Sequence, residues 1–452
     1  MRKLSLYLFP LLAIGVLFTS CKKDPPVEET VAATPSAFYA LIGNADWNAE
    51  FSYATEVNGR LQIVGSTYNG KVLRFDLDDI QAKKYIVNDK STSHAFYTDS
   101  SKVPGRIYNS KVDGDKYSGT INITSNDPVA KTVSGTFDII LKDTINEQFI
   151  TVENGTFTVS YLSNMSIDAF SGYSTFFGVY NDAGITQFGL WYRSPVTGQL
   201  EAKNIGVMEA SNVFNNSLYD SKSKTFYAIG DGLNIRGINV YSGKATADKE
   251  FKIICPINIQ NINYGVHTPY DTSSRQALVN FSIEAGKVNA SIIDSLILPV
   301  SEKSSIGYDG VNIYIIPDQT AMYQLLRINL LTKDQTILNY TYKSTGLEYI
   351  GNNSFLTVID TVKPGTEVTK RLLGEININF GQITTQIIGD LADMSAGDGH
   401  LSTCFSKKKS TFYATYSSTD LMLTKVSVYN AALKKLDQYS VTTAIEGIKT
   451  KE

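Results

Sequence analysis

The densest chemistry in the chain is the run DLADMSAGDGH at 390–400, which puts Asp390, Asp393 and Asp398 within eleven residues of an imidazole, His400. Carboxylates beside a histidine suit a metal ion or acid–base work, but the spacing fits neither the alternating acidic positions of a calcium loop nor a paired-histidine zinc helix. Metal is therefore not expected. Tyr-Asp pairs recur at 219–220, 270–271 and 308–309. Each stands just before a turn, so the aspartate is expected to accept hydrogen bonds from amides two residues on, a capping role, not a carboxylate ring. No Gly-x-Ser-x-Gly, phosphate loop, Cys-x-x-Cys or dinucleotide fingerprint occurs in a fitting context, and no cofactor is expected.

Around these residues the pattern is that of strands and turns. The chain has 27 Tyr, 21 Phe and 33 Gly with only 19% charged residues, a composition that favours β-structure. Repeats carry the most information. LYDSKSKTFY at 218–227 and CFSKKKSTFY at 404–413 align without gaps, and AFSGYSTFFGVY at 169–180, PYDTSSRQALV at 269–279, GYDGVNIYII at 307–316 and EYIGNNSFLTV at 348–358 have the same form. The aromatic before each turn is Phe170, Tyr219, Tyr270, Tyr308, Tyr349 and Phe405, at intervals of 49, 51, 38, 41 and 56 residues. Further strand pairs follow each hairpin, so the unit is four strands in about 40–50 residues, which resembles a β-propeller blade. Such a sheet is apolar on both faces and must be buried between neighbours around an axis. Residues 164–452 are thus expected to form a propeller of about six blades. A seventh, built partly from 245–268, and a large two-sheet sandwich are the alternatives.

In a fold resembling known propellers, the connections into the innermost strands gather at one mouth of the channel. Here they are about 204–217, 255–268, 299–305, 341–347 and 390–403, and they collect Glu209, Asn216, Asn261, Asn263, His267, Asp390, Asp393, Asp398 and His400. Polar groups converging on a concave mouth are what a ligand site needs, although loops are also polar simply because they are wet.

Upstream, residues 36–163 alternate apolar and polar in short runs: LQIVG at 61–65, VLRFDL at 72–77, TINIT at 120–124 and GTFDI at 135–139. Period two means strands with one buried face. The order of Trp47, NGRLQIVG, KKYIV, SGTINIT, VSGTFDI and NGTFTV resembles an uncharacterised domain of Bacteroidota lipoproteins. The resemblance implies a small antiparallel β-sandwich or barrel and brings no catalytic residues. The fold class expected for the whole chain is all-β, with that small domain followed by the propeller.

The N-terminus is read differently. Arg2 and Lys3 precede an apolar run from Leu4 to Phe18, the order of a signal peptide, and Lys22, Lys23, Asp24, Pro25 and Pro26 stop it short of a membrane span. Leu17-Phe18-Thr19-Ser20-Cys21 resembles a bacterial lipobox, which implies removal of residues 1–20, diacylglyceryl and palmitoyl lipid on Cys21, and a membrane partner. Residues 21–35 hold too little apolar surface to fold and read as a tether. Loss of Arg2 and Lys3 moves the formal charge from −3 to −5, too mild and too little clustered for nucleic acid. Cys255 and Cys404 then remain, with 148 residues between them, as two buried thiols or, less readily, a disulfide.

These features point to an exported lipoprotein, at the outer membrane in preference to the inner. Its propeller is expected to bind a glycan, peptide or protein partner. The competing function is a propeller hydrolase or lyase acting on glycans, which requires facing carboxylates about 5–10 Å apart.

Overall fold

The computed structural model describes residues 37–451 apart from 68–69, 100–104, 112–117, 144, 166, 171–174, 183–184, 209–216, 230–233, 246–248, 251, 270–274, 285–286, 318–322, 363–368, 392–399 and 419–422. Cys21 and residues 1–36 lie outside them. The chain is all-β: an eleven-stranded antiparallel sheet over Ala37–Ser160 is followed by six four-stranded sheets.

The first sheet curls into a half-barrel, within the expected small antiparallel sandwich or barrel. Ala54, in the edge strand Phe51–Val57, makes an isolated parallel bridge to Tyr161, but the two edges do not zip together. Alternation along VSGTFDI and NGTFTV sends Val133, Phe137, Ile139, Phe157 and Val159 to the concave side. There they surround Phe38, whose ring meets Trp47 edge-on at 5.4 Å and Phe137 at 5.5 Å. Gly155 and Gly135 are required because a Cβ there would fall within 2.6 Å of Phe137 and Phe157 ring atoms. From the outer side, Phe51, Tyr53 and Val64 join Phe170, Tyr192, Tyr219 and Phe226 in one shared core with the first two blades.

The six sheets are the blades of a propeller. Their inner strands are Ser217–Asp220, Ile253–Ile259, Ser305–Tyr308, Lys343–Gly351, His400–Ser406 and Ile445–Lys449, each packed beside the next in a closed circle. The last belongs to the blade begun by Thr175–Asp182, Ile185–Arg193 and Leu200–Val207, so strands from both ends of the segment complete one sheet. Closure of this kind removes the open ends that isolated blades would expose.

Four expected hairpin aromatics, Tyr219, Tyr308, Tyr349 and Phe405, stand near the ends of inner strands just before the turn. Two do not. Phe170 lies in a 3-10 turn (Ile167–Phe170) ahead of the first blade and packs on Phe51 at 5.2 Å and Tyr192 at 4.8 Å. Tyr270 is outside the described residues, in the connection between the second and third strands of the third blade. That blade's inner hairpin is Ile253–Ile259 with Ile262–His267, so the stretch 245–268 forms no seventh blade. It escaped the aromatic pattern because Ile259 takes the aromatic's place and Gln260 and Asn261, both at positive φ, make a tight turn.

Candidate functional site

In an antiparallel four-stranded blade the turns after the first and third strands fall at one end and the remaining connections at the other. The propeller therefore has a hairpin face and a far face. On the hairpin side the channel widens to a cavity of about 180 Å³, walled by Tyr219, Asn258, Tyr308, Tyr349, Phe405 and Lys449 among others. Its lining contains one carboxylate, Glu348, which accepts a hydrogen bond from Thr403 Oγ1 at 3.0 Å. Gly346 lets the wall pass this close: its φ is +77°, and a Cβ would lie 2.1 Å from Thr403 Oγ1. Cys404 lines the same wall; it and the buried Cys255 form no disulfide, and burial pushes Cys255 up to about 12 and Cys404 well above the ordinary thiol range.

Among the described residues, the ligand residues expected at one mouth do not meet. Asn261, in a turn with its Oδ1 accepting from Ser221 Oγ at 2.6 Å, and buried Asn263, accepting from Asn258 Nδ2 at 2.6 Å, belong to the hairpin side. His267 ends the second strand of the third blade and His400 begins the inner strand of the sixth, both at the far side. Asp390 ends the outermost strand of the fifth blade, exposed and ion-paired with Lys370 Nζ at 2.6 Å, away from the axis. The stretch 255–268 is an inner hairpin and not a connection, which splits the set between opposite ends. Glu209, Asn216, Asp393 and Asp398 lie outside the described residues. Two of the three Tyr-Asp pairs cap turns: Asp220 Oδ1 accepts from Lys222 N at 2.9 Å, and Asp309 Oδ1 from Val311 N at 2.8 Å and Asn312 N at 2.7 Å; the third, at 270–271, lies outside the described residues. Among the described residues no cluster of His, Cys, Asp and Glu could hold a metal, and no helix is long and apolar enough to cross a membrane.

A larger concavity was not legible in the sequence. Between the half-barrel and the outer edge of the first blade lies a cleft of about 780 Å³, inside the range of sites for small molecules. The half-barrel contributes Glu56, Gln81, Asn126 and Lys131, the linker Tyr161 and Ser163, and the blade Lys203 and Asn204. Tyr161 donates to Asn126 Oδ1 at 3.1 Å, and Asn126 Nδ2 in turn holds Ile80 O at 2.6 Å, fixing one rim. Lys203 Nζ donates to Leu162 O and Ser163 O, both at 3.1 Å, which ties blade to linker. Desolvation lowers its pKa below the ordinary lysine value. Lys131 Nζ stands 5.9 Å from the Tyr161 ring centre. Among the described residues of this lining Glu56 is the single carboxylate. The sequence signal that existed was the Tyr161–Phe170 linker, which the domain boundary at 163 cut through.

Residues 34–159 match a family described as a domain of unknown function, DUF6252. No curated protein matches the chain. Among solved structures, TolB from Acinetobacter baumannii is similar with 10% identity and a TM-score of 0.45, over 73% of this chain and 81% of that one. A protein of unknown function from Bacteroides thetaiotaomicron VPI-5482 is similar with 12% identity and a TM-score of 0.37, over 72% and 82%. A chain of a nidogen/laminin complex gives 13% and 0.39, over 61% and 98%. The propeller assignment rests on the strand order itself: six four-stranded sheets with inner strands in a ring.

Proposed function

We propose that this chain is an exported lipoprotein of the cell envelope, anchored at the outer membrane through lipid on Cys21, and that it binds a glycan between its half-barrel and its propeller. The anchor is supported by the apolar run, the lipobox-like Leu17–Cys21 and the unfoldable tether after it. The observation that carries the binding reading is the cleft. Its hydrogen-bonding side chains, Glu56, Gln81, Asn126, Lys203 and Asn204, line the same cleft as Tyr161. A sugar presents hydroxyls around an apolar ring face and needs that mixture.

A glycan hydrolase is a poorer account, because the cleft and the channel cavity each hold one carboxylate in their linings and the reaction needs two. The test is a glycan array probed with the wild-type chain and with Lys203→Gln and Tyr161→Ala, followed by calorimetry on any hit. Binding that falls at least tenfold in both variants supports the reading. An array without hits, or a hit indifferent to both substitutions, removes it; retention of peptides in its place would move the cleft to a peptide site. Metabolic labelling with a palmitate analogue, lost in Cys21→Ser, tests the anchor separately.

A further inference from the structure

The hairpin face carries a feature that neither the fold nor the cleft requires. In the fourth, fifth and sixth blades the turn after the third strand has a large apolar residue at its tip: Leu331 is 87% exposed, Phe380 107% and Leu433 73%. Scattered apolar residues are ordinary on surfaces. Three at the same structural position of consecutive blades, all at one face, are a pattern.

Phe380 is the most telling of them. Its φ is +50°, beside Gly381 at +81°, so a bulky aromatic occupies a left-handed turn position that glycine or asparagine takes at lower cost. It gains no burial within the chain in return.

The charge around these tips has one dominant sign. The same turns and the inner-hairpin turns of these three blades hold Lys333, Lys407, Lys408, Lys409 and Lys434 against Asp309 and Asp334. Asp309 is engaged by its own turn amides and by Tyr314 Oη at 2.8 Å, and Asp334 Oδ2 accepts from Thr332 Oγ1 at 2.7 Å.

The start of the described chain lies close to the beginning of the linker, whose far end reaches this face. Ala37 pairs with Thr158, just ahead of the linker. Linker Asp168 pairs with Lys451 and accepts from Tyr241 Oη at 3.1 Å, and both partners belong to the hairpin face. Residues 22–36 span at most about 50 Å when extended, so a lipid on Cys21 would hold the start of the described chain within that distance of a bilayer.

We infer that the hairpin face of blades four to six lies on an anionic lipid surface, with Leu331, Phe380 and Leu433 entering the acyl boundary and the lysines meeting the headgroups. Single apolar tips projecting from a plane, flanked by lysine, suit a lipid interface. A protein partner would call for a groove or contiguous patch. In this orientation the channel mouth faces lipid, while the cleft, at the outer edge of the first blade, stays open to solvent. The inference uses the anchor only for proximity.

The experiment places Phe380→Trp in the full chain and adds vesicles of equal parts phosphatidylcholine and phosphatidylglycerol with brominated acyl chains. Trp47 and Trp191 are buried, so the wild-type spectrum subtracts cleanly. Blue-shifted, bromine-quenched emission is expected. In a Cys21→Ser background, which carries no lipid, Leu331→Ala/Phe380→Ala/Leu433→Ala should weaken vesicle partitioning roughly tenfold or more. Emission that stays unshifted on anionic vesicles overturns the inference, as does equal partitioning to pure phosphatidylcholine or a shift produced only by an added envelope protein. The mass of the N-terminal peptide reports lipidation of Cys21 independently, so failure of the anchor and failure of the face are told apart.

Discussion

Tyr180 and Ile445 face each other in adjacent antiparallel strands, although one belongs to the first strand of the propeller segment and the other to its last. Ile445 and Ile448 are buried between the first and sixth blades with Phe176, Trp191 and Tyr413. The ring is therefore closed by the strand Ile445–Lys449, which buries two isoleucines in that cluster and bonds Ser402, Ser417 and Thr424 of the sixth blade.

Ile448→Ala should cost about 2–4 kcal/mol, the range for deleting a buried aliphatic side chain that leaves a cavity. Urea unfolding followed by tryptophan fluorescence would measure it, since Trp191 packs in the same cluster. A loss below about 1 kcal/mol would show that the closing strand is not what holds the circle.

Gly346→Ala should destabilise by about 2–4 kcal/mol, combining a left-handed backbone with overpacking against Thr403. Thr403→Ala, which removes both the Oγ1 and the methyl that the new Cβ would meet, should recover part of that loss in the double variant. Additive effects of the two substitutions would rule out the contact as the cause.

Because burial raises both thiols, Cys255 and Cys404 should resist iodoacetamide at pH 8 in the native chain and react fully in guanidinium. Mass spectrometry of tryptic peptides reads this directly. Native labelling of Cys404 within minutes would mean that the channel wall opens far more readily than its packing implies.

Lys203 carries a pKa below its unfolded value near 10.5, so the unfolded chain binds more protons wherever the pH lies between the two. The penalty for holding this charge is complete below the folded pKa and is relieved as the pH rises through it towards 10.5. Compared with Lys203→Met, the wild-type chain should therefore gain relative stability between neutral pH and pH 10. A flat difference over that span, from paired urea titrations, would contradict the desolvation of the amine.

Part of this architecture was legible because it is local. Tyr219, Tyr308, Tyr349 and Phe405 announce inner hairpins because a turn needs an aspartate, asparagine or lysine-rich tip and the strand before it needs something large to bury. Where Ile259 replaced the aromatic, the same hairpin left no such mark and Tyr270 drew the pattern to the wrong place. His267, Asn263 and Asp390 were grouped as one mouth by an assumed order of strands, and a displacement of one strand sends residues to opposite ends of a channel.

By itself the sequence determined the strand-and-turn character, the repeat of four strands, the apolar run ahead of Cys21 and the turn-capping role of Asp220 and Asp309, all properties of neighbouring residues. Tertiary structure alone decided that Ile445–Lys449 completes the first blade, that the half-barrel shares a core with blades one and two, and that Lys203 and Asn126 border one cleft. Those outcomes depend on which distant apolar faces cover each other best, a comparison among whole arrangements that no short window of residues contains.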